Sequence, residues 1–175
     1  MCPAKPFDRI DGSPYQFNQA AMVTYSTHVT TNFYFNTFNT TVSIQNAIKS
    51  AAYVGRLTYT NKAFDQAKVL FQPGKGVRDA ALAKNEVLIL SDGQSSSRTL
   101  AQTAVGKLKL VADIYGLMIG NFTQAGMDEL TKCVSFPKNE HLFSIKYFSQ
   151  FKDLVNALEA KKIQAGDKWC APFTP

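Results

Sequence analysis

Residues 86–95 read Glu-Val-Leu-Ile-Leu-Ser-Asp-Gly-Gln-Ser, and this stretch decides the fold class. Its first five residues, 86–90, form a short apolar run without alternation, which is typical of a strand buried on both faces. Such strands occur in parallel sheets that helices cover on both sides. Asp92 follows the strand directly, where ligands of open α/β sheets bind, so it is a candidate ligand-binding residue. The alternative interpretation is a simple Asp-Gly turn.

The segments around this strand alternate between strand and helix patterns. Residues 20–26 and 32–35 are rich in β-branched and aromatic side chains and predict a hairpin. Apolar spacing then predicts, in chain order, helices over 42–53 and 61–71, the strand over 86–90, a helix over 98–110, a strand over 112–119, a helix over 124–133, a strand over 141–145 and a helix over 147–162. The alternation predicts a three-layer α/β sandwich with a doubly wound, mostly parallel sheet and one antiparallel edge strand. We expect its core to contain Val23, Leu88, Ile89, Ile114, Leu117 and Phe143.

The composition fits one domain and narrows the classes of partner. The chain has 175 residues with a net charge of +6, and no apolar run approaches the roughly 18 residues of a membrane span. The charge favours an acidic partner, but the basic residues cluster only at Lys161, Lys162 and Lys168. A nucleic-acid partner is therefore not expected, since such a partner requires basic residues gathered on one face.

The cysteines and the sequons leave the compartment open. Three cysteines are too few for a disulfide scaffold and have no metal-ligand spacing. Cys2 and Cys170 form a terminal disulfide only in an oxidising compartment, whereas Cys133 stays free or pairs outside the chain. Asn39 and Asn121 each begin an Asn-x-Thr sequon and are N-glycosylation candidates in a secreted chain.

The motifs of the chain do not favour a catalytic function. The strand at 86–90 ends in Ser-Asp-Gly-Gln, whereas a nucleophile elbow requires Gly-x-Ser-x-Gly. Neither glycine-rich nucleotide-binding motif is present. We expect His28 and His141 to be structural residues. The sequence therefore predicts a binding module without catalytic activity.

Several segments in a fixed order together resemble the matrix and collagen-associated branch of the von Willebrand factor type A domain family. They are Met22–Ser26, Phe33–Phe38, the Gly55-x-x-Thr58-x-Thr60 loop, Leu88–Ser95, Ile114–Gly120, Met127–Leu130 and His141–Phe143. The resemblance covers about residues 17–162. It implies an atypical segment at 1–16, a domain at 17–162 that is incomplete at its N-terminal side, and a tail or linker at 163–175.

The resemblance also implies a divalent-cation site. Members of the family bind Mg²⁺ or Ca²⁺ at the top of the sheet, and Thr58 and Asp92 match the threonine and aspartate of the second and third metal loops. The family's first strand, its Asp-x-Ser-x-Ser loop and its first helix have no clear counterpart upstream of Ala20, although Asp11 and Ser13 lie in a similar Asp-Gly-Ser segment. The implied site is degenerate and binds its cation weakly, because Mg²⁺ demands a nearly complete set of oxygen ligands.

The family resemblance implies a binding function and a low stability of the isolated chain. We expect a non-catalytic adhesion or matrix-binding module whose partner is an extracellular matrix or cell-surface protein. We expect it to be secreted, although no signal peptide is present in the chain. Further domains or an oligomer are compatible with this expectation. The alternative is an intracellular scaffold for complex assembly. The family places its first strand between the strands at 20–26 and 86–90, so its absence predicts two exposed strand edges and a marginally stable chain.

Overall fold

The computed structural model describes residues 17–55, 57–150 and Lys152, and all element bounds below lie within them. The elements in chain order are β1 (Met22–Tyr25), β2 (Val29–Phe33), α1 (Thr41–Lys49), α2 (Thr60–Leu70), β3 (Glu86–Ser91), α3 (Arg98–Leu108), β4 (Asp113–Ile119), α4 (Gln124–Cys133), α5 (Lys138–His141) and β5 (Leu142–Ile145). Each strand and each long helix lies where the sequence predicts one, with ends that differ by a few residues. Residues 148–150 begin the predicted last helix, and its remainder lies outside the described residues, as do segments 1–16 and 163–175.

The strands form two ladders in the described part of the chain. β1 and β2 pair antiparallel, with Tyr25 opposite Val29. β3, β4 and β5 form a parallel sheet in that order, with Leu90 opposite Leu117 and Leu117 opposite Phe143. The predicted α/β architecture is confirmed, with its parallel sheet and its antiparallel hairpin. Within the described residues no ladder joins β1 to β3, the interval where the family order places its first strand.

Two helices begin at threonine caps that the sequence supplies. The Thr40 hydroxyl accepts a hydrogen bond from the Ser43 amide at 3.2 Å, and the Thr123 hydroxyl accepts one from the Gly126 amide at 3.1 Å. Each bond satisfies an amide that has no partner inside its own helix. Thr123 thereby fixes the start of α4 directly after β4, and with it the position of the loop between them.

The core lies between one face of the parallel sheet and helices α2, α3 and α4. Its buried members are Phe64, Ile89, Ala101, Ala104, Val105, Leu108, Ala112, Ile114, Met118, Leu130, Cys133 and Val134. α4 packs so closely on β4 that a Cβ atom at Gly116 would lie 2.7 Å from Val134 Cγ1. Leu117 is buried on the other face.

Two of the expected core residues are not buried. Leu88 is 48% exposed and Phe143 is 47% exposed, so the expectation was wrong for both, and Val23 is only half-buried. The sheet order gives the reason. β3 and β5 flank the central strand β4, and in the described part of the chain they reach the core cluster through Val87, Ile89 and Leu142, which share one face of the sheet. Among the strands that the structure describes, only β4 is buried on both faces over most of its length.

Candidate functional site

An open pocket of about 720 Å³ lies at the carboxyl ends of β1, β3 and β4. Ser26 follows β1, Asp92 follows β3 and Gly120 follows β4, and all three line the pocket. Thr58, from the segment before α2, lines it as well. The structure therefore brings the two predicted metal ligands, Thr58 and Asp92, to one pocket at the edge of the sheet where open α/β folds bind their ligands.

Reciprocal hydrogen bonds join the segment that carries Thr58 to the loop after β3. The Thr58 amide donates to the Ser96 hydroxyl at 3.0 Å, and the Ser96 amide donates to the Thr58 carbonyl at 2.7 Å. A further bond ties the end of this segment to the residue that follows β1, since the Tyr59 amide donates to the Ser26 carbonyl at 3.1 Å. The loops that form the pocket are thus held together by backbone groups and by the Ser96 hydroxyl.

Glu129 anchors the loop after β3 from the side of α4. It is a charged residue with only 5% of its surface exposed. Its Oε1 accepts hydrogen bonds from the Ser95 hydroxyl and from the Ser95 amide, the latter at 3.3 Å. Its Oε2 lies 3.6 Å from Nε of Arg98. The buried carboxylate is therefore paired on both oxygens, as a charge removed from water must be.

Tyr25 links the hairpin to the parallel sheet across the interval between β1 and β3. Its hydroxyl donates to the Leu90 carbonyl at 3.3 Å. Burial raises the pKa of Tyr25, and hydrogen bonds with Ser91 and Thr60 lower it to a smaller extent. The side chain therefore stays neutral and able to donate throughout the physiological range of pH.

The two predicted cation ligands, Thr58 and Asp92, supply only part of the ligand set that a divalent cation requires. The described residues contain no group of three or more histidine, cysteine, aspartate or glutamate side chains placed to hold a metal ion. Thr58 and Asp92 offer one hydroxyl and one carboxylate, whereas hard cations take six or more oxygen ligands. These residues by themselves do not fit a tightly bound cation. Asp11 and Ser13 lie outside the described residues.

The two glycosylation candidates occupy different places. Asn39 is exposed in the turn before α1, and Asn121 is exposed at the wall of the pocket. The threonine of the second sequon, Thr123, also caps α4 through its hydroxyl. Thr123 therefore has a role in the fold that does not depend on glycosylation of Asn121.

Of the other three candidate residues, Cys133 and His141 are buried and His28 is exposed. Cys133 is free and buried at the end of α4, and burial raises the pKa of its thiol to about 11, with the nearby Glu129 adding to the rise. His141 is buried, stacks on Tyr115 at 4.4 Å between ring centroids, and places Nδ1 2.9 Å from the Pro137 carbonyl oxygen. His28 is exposed in the hairpin turn.

The sequence interpretation missed Tyr25, Ser96 and Glu129 as residues that build the site. A signal for Glu129 was available, because α4 buries positions 126, 129, 130 and 133, which is the i, i+3, i+4, i+7 spacing of a core-facing stripe. A carboxylate on such a stripe needs buried partners. No comparable signal marks Ser96, whose role depends on a contact 38 residues away in the chain.

Comparison with known proteins identifies the family of the chain. A sequence model of the von Willebrand factor type A domain matches residues 5–157. The collagen alpha-5(VI) chain of Mus musculus is 26% identical over 153 residues, which cover 87% of this chain and 6% of the collagen. Integrin alpha-X of Mus musculus is 26% identical over 146 residues, which cover 81% of this chain and 12% of the integrin. The chain thus spans only a small part of the length of these relatives.

Solved structures share the fold. Proximal thread matrix protein 1 from the mussel byssus, with a zinc-occupied MIDAS motif, has a TM-score of 0.73 and 22% identity over 84% of this chain and 37% of that one. The manganese-loaded TRAP protein of Plasmodium vivax has a TM-score of 0.57 and 14% identity over 79% of this chain and 56% of that one. Because the family match covers most of the sequence, the assignment follows directly: this chain belongs to the von Willebrand factor type A domain family.

Proposed function

We propose that the chain is a non-catalytic adhesion or matrix-binding module that takes its partner at the pocket formed by the carboxyl ends of β1, β3 and β4. The observation that carries the proposal is the convergence of Ser26, Thr58, Asp92 and Gly120 on one pocket. The relatives, which include collagen chains and an integrin, support the class of function. The partner we propose is an extracellular matrix or cell-surface protein.

The rim of the pocket supports a protein partner. Tyr53 is 95% exposed and Phe148 is 70% exposed, and both line the pocket together with Leu57. Exposed aromatic side chains are enriched at protein interfaces, where they bury a large area at a small cost in side-chain entropy. Asp92 places one negative charge among these apolar groups, which gives the surface both an apolar and a polar recognition element.

Cation binding at this pocket is a separate part of the proposal. We propose that Thr58 and Asp92 bind Mg²⁺ or Ca²⁺ with millimolar or weaker affinity, because two side-chain ligands leave most of the coordination shell to water. Isothermal titration with Mg²⁺ and Mn²⁺ measures this affinity in the full chain. Tight binding that Asp92→Asn abolishes and Asp65→Asn preserves would contradict weak binding, since Asp65 is an exposed aspartate on α2 that does not line the pocket.

The adhesion proposal is tested by surface plasmon resonance of the full chain over immobilised fibrillar collagen and a basement-membrane collagen, in the presence of Mg²⁺ and of EDTA. We expect Tyr53→Ala and Phe148→Ala each to weaken binding about tenfold, as truncation of an aromatic anchor commonly does. Leu110→Ala is the matched control, because Leu110 is an exposed apolar residue that does not line the pocket. Equal affinities for all variants would place the partner on another surface.

We further propose an extracellular location, with N-glycans at Asn39 and Asn121 and with the domain at residues 17–162 serving as one unit of a larger protein or oligomer. None of the helices in the described part of the chain is long and apolar enough to cross a membrane. The alternative is an intracellular scaffold of the same fold. A mobility shift after glycosidase treatment of protein from its native source separates the two, because only a secreted chain acquires these glycans.

A further inference from the structure

We propose that Glu129 is a positioning residue that holds the two pocket loops in place from inside the domain, so that their geometry depends on α4 and does not require a bound cation. The pocket loops are the segment Leu57–Tyr59 and the loop Asp92–Ser97. The inference rests on the proposed function only in taking these loops as the ligand surface. The contacts of Glu129 themselves are independent of any partner.

The carboxylate of Glu129 on α4 is the hydrogen-bond acceptor for the loop Asp92–Ser97, in the place that water takes for an exposed loop. It accepts hydrogen bonds from both the hydroxyl and the amide of Ser95, and it lies beside the guanidinium of Arg98. Hydrogen bonds to a charged acceptor are about twice as strong as bonds between neutral groups. Ser95 is three residues after Asp92, so the anchor restrains the loop that presents the pocket carboxylate.

The restraint continues from Ser95 to the other pocket loop. Two hydrogen bonds join Ser96 to Thr58. The Ser96 hydroxyl accepts from the Thr58 amide at 3.0 Å, and the Ser96 amide donates to the Thr58 carbonyl at 2.7 Å. A continuous set of bonds therefore runs from Glu129 through Ser95 and Ser96 to Thr58. Both predicted cation ligands lie on segments that this set of bonds holds, and the side chain of Asp92 takes no part in it.

The choice of a carboxylate at this position supports a positioning role. Position 129 lies on the buried stripe of α4, where an apolar side chain would pack without an electrostatic cost. An apolar residue there would leave the Ser95 hydroxyl and amide without their acceptor, and Arg98 without its carboxylate. The second polar contact of Arg98 is also to α4, since its Nη2 donates to the Ala125 carbonyl at 3.4 Å.

Amide hydrogen exchange in the metal-free full chain tests the inference, because it reads the restrained bonds directly. In Glu129→Ala we expect the amides of Ser95, Ser96 and Thr58 to exchange at least about tenfold faster, while the amides of Val105 and Leu108 in α3 change much less. Glu129→Gln keeps an acceptor oxygen and should restore part of the protection. Asp128→Asn is the matched control, because Asp128 is the adjacent but exposed carboxylate of α4 and bonds only Gln124 among the described contacts.

Three results would overturn the inference. Unchanged loop exchange in Glu129→Ala would show that the loops are held elsewhere. A uniform increase over all amides would show that Glu129 stabilises the whole domain and does not position the loops. Protection of the wild-type loops that appears only on addition of Mg²⁺ would show that a cation sets their geometry. Should Glu129→Ala fail to fold, Ser95→Ala makes the same test from the loop side. Failure of the chain to bind collagen would leave all of these readouts intact.

Discussion

The two faces of the parallel sheet differ sharply although the sequence of β3 is apolar on both. Ile89, on the face toward α2, α3 and α4, is 6% exposed, whereas its neighbour Leu88, on the opposite face, is 48% exposed. On the central strand β4 both faces are buried. The comparison teaches that an apolar run predicts a strand inside an α/β sheet, but that the position of the strand in the sheet decides how many of its faces are covered.

The largest expected effect comes from truncating one side chain on each face. Ile89→Ala should lower the free energy of unfolding by about 2–5 kcal/mol, since it removes buried methylene groups and leaves a cavity. Leu88→Ala should cost about 1 kcal/mol or less, because much of that side chain is already in water. Urea denaturation followed by circular dichroism measures both. Equal losses would show that Leu88 is covered in solution.

A matched pair of glycine substitutions sharpens the comparison on the packed face. A methyl group at Gly116 would lie 2.7 Å from Val134 Cγ1 and 3.0 Å from Leu130 Cδ2, so Gly116→Ala should destabilise the fold by about 1–3 kcal/mol. Gly106 in α3 has open space at the same position, and Gly106→Ala should stabilise by roughly 0.5–1 kcal/mol through its helix propensity. Thermal melting of the two variants reports the difference in sign. Melting shifts of the same sign would contradict the close packing of α4 on β4.

The smallest expected effect concerns the edge of β3 and depends on pH. Tyr25→Phe removes the hydrogen bond to the Leu90 carbonyl and should cost about 0.5–1.5 kcal/mol at neutral pH. Burial raises the pKa of Tyr25 above its ordinary 10.0, so its contribution is complete below about pH 10 and is lost as pH rises through the raised value. Denaturation of both proteins from pH 7 to pH 11 should show the gap between them closing above pH 10. A gap that widens would mean that the folded state favours the ionised tyrosine.

The strands and helices were largely predictable because their patterns are local. α4 was predicted with its observed ends, since Thr123 caps one end and an apolar stripe runs to Cys133. The placement of Asp92 at a pocket followed from its position after a strand. The anchor at Glu129 and the tie between Thr58 and Ser96 were not predicted, because each joins segments more than 30 residues apart.

By itself, then, the sequence determined the alternation of strands and helices, the parallel central sheet and the residues that follow its strands, because apolar periodicity and turn chemistry act over a few residues. Only the tertiary structure decided which face of β3 is covered, that β1 and β3 are joined by the Tyr25 hydroxyl and by no ladder within the described residues, and that a buried carboxylate on α4 holds the pocket loops. The physical reason is that burial and hydrogen-bond partners depend on which segments meet in space. Contacts between residues that are far apart along the chain leave no pattern in the local sequence.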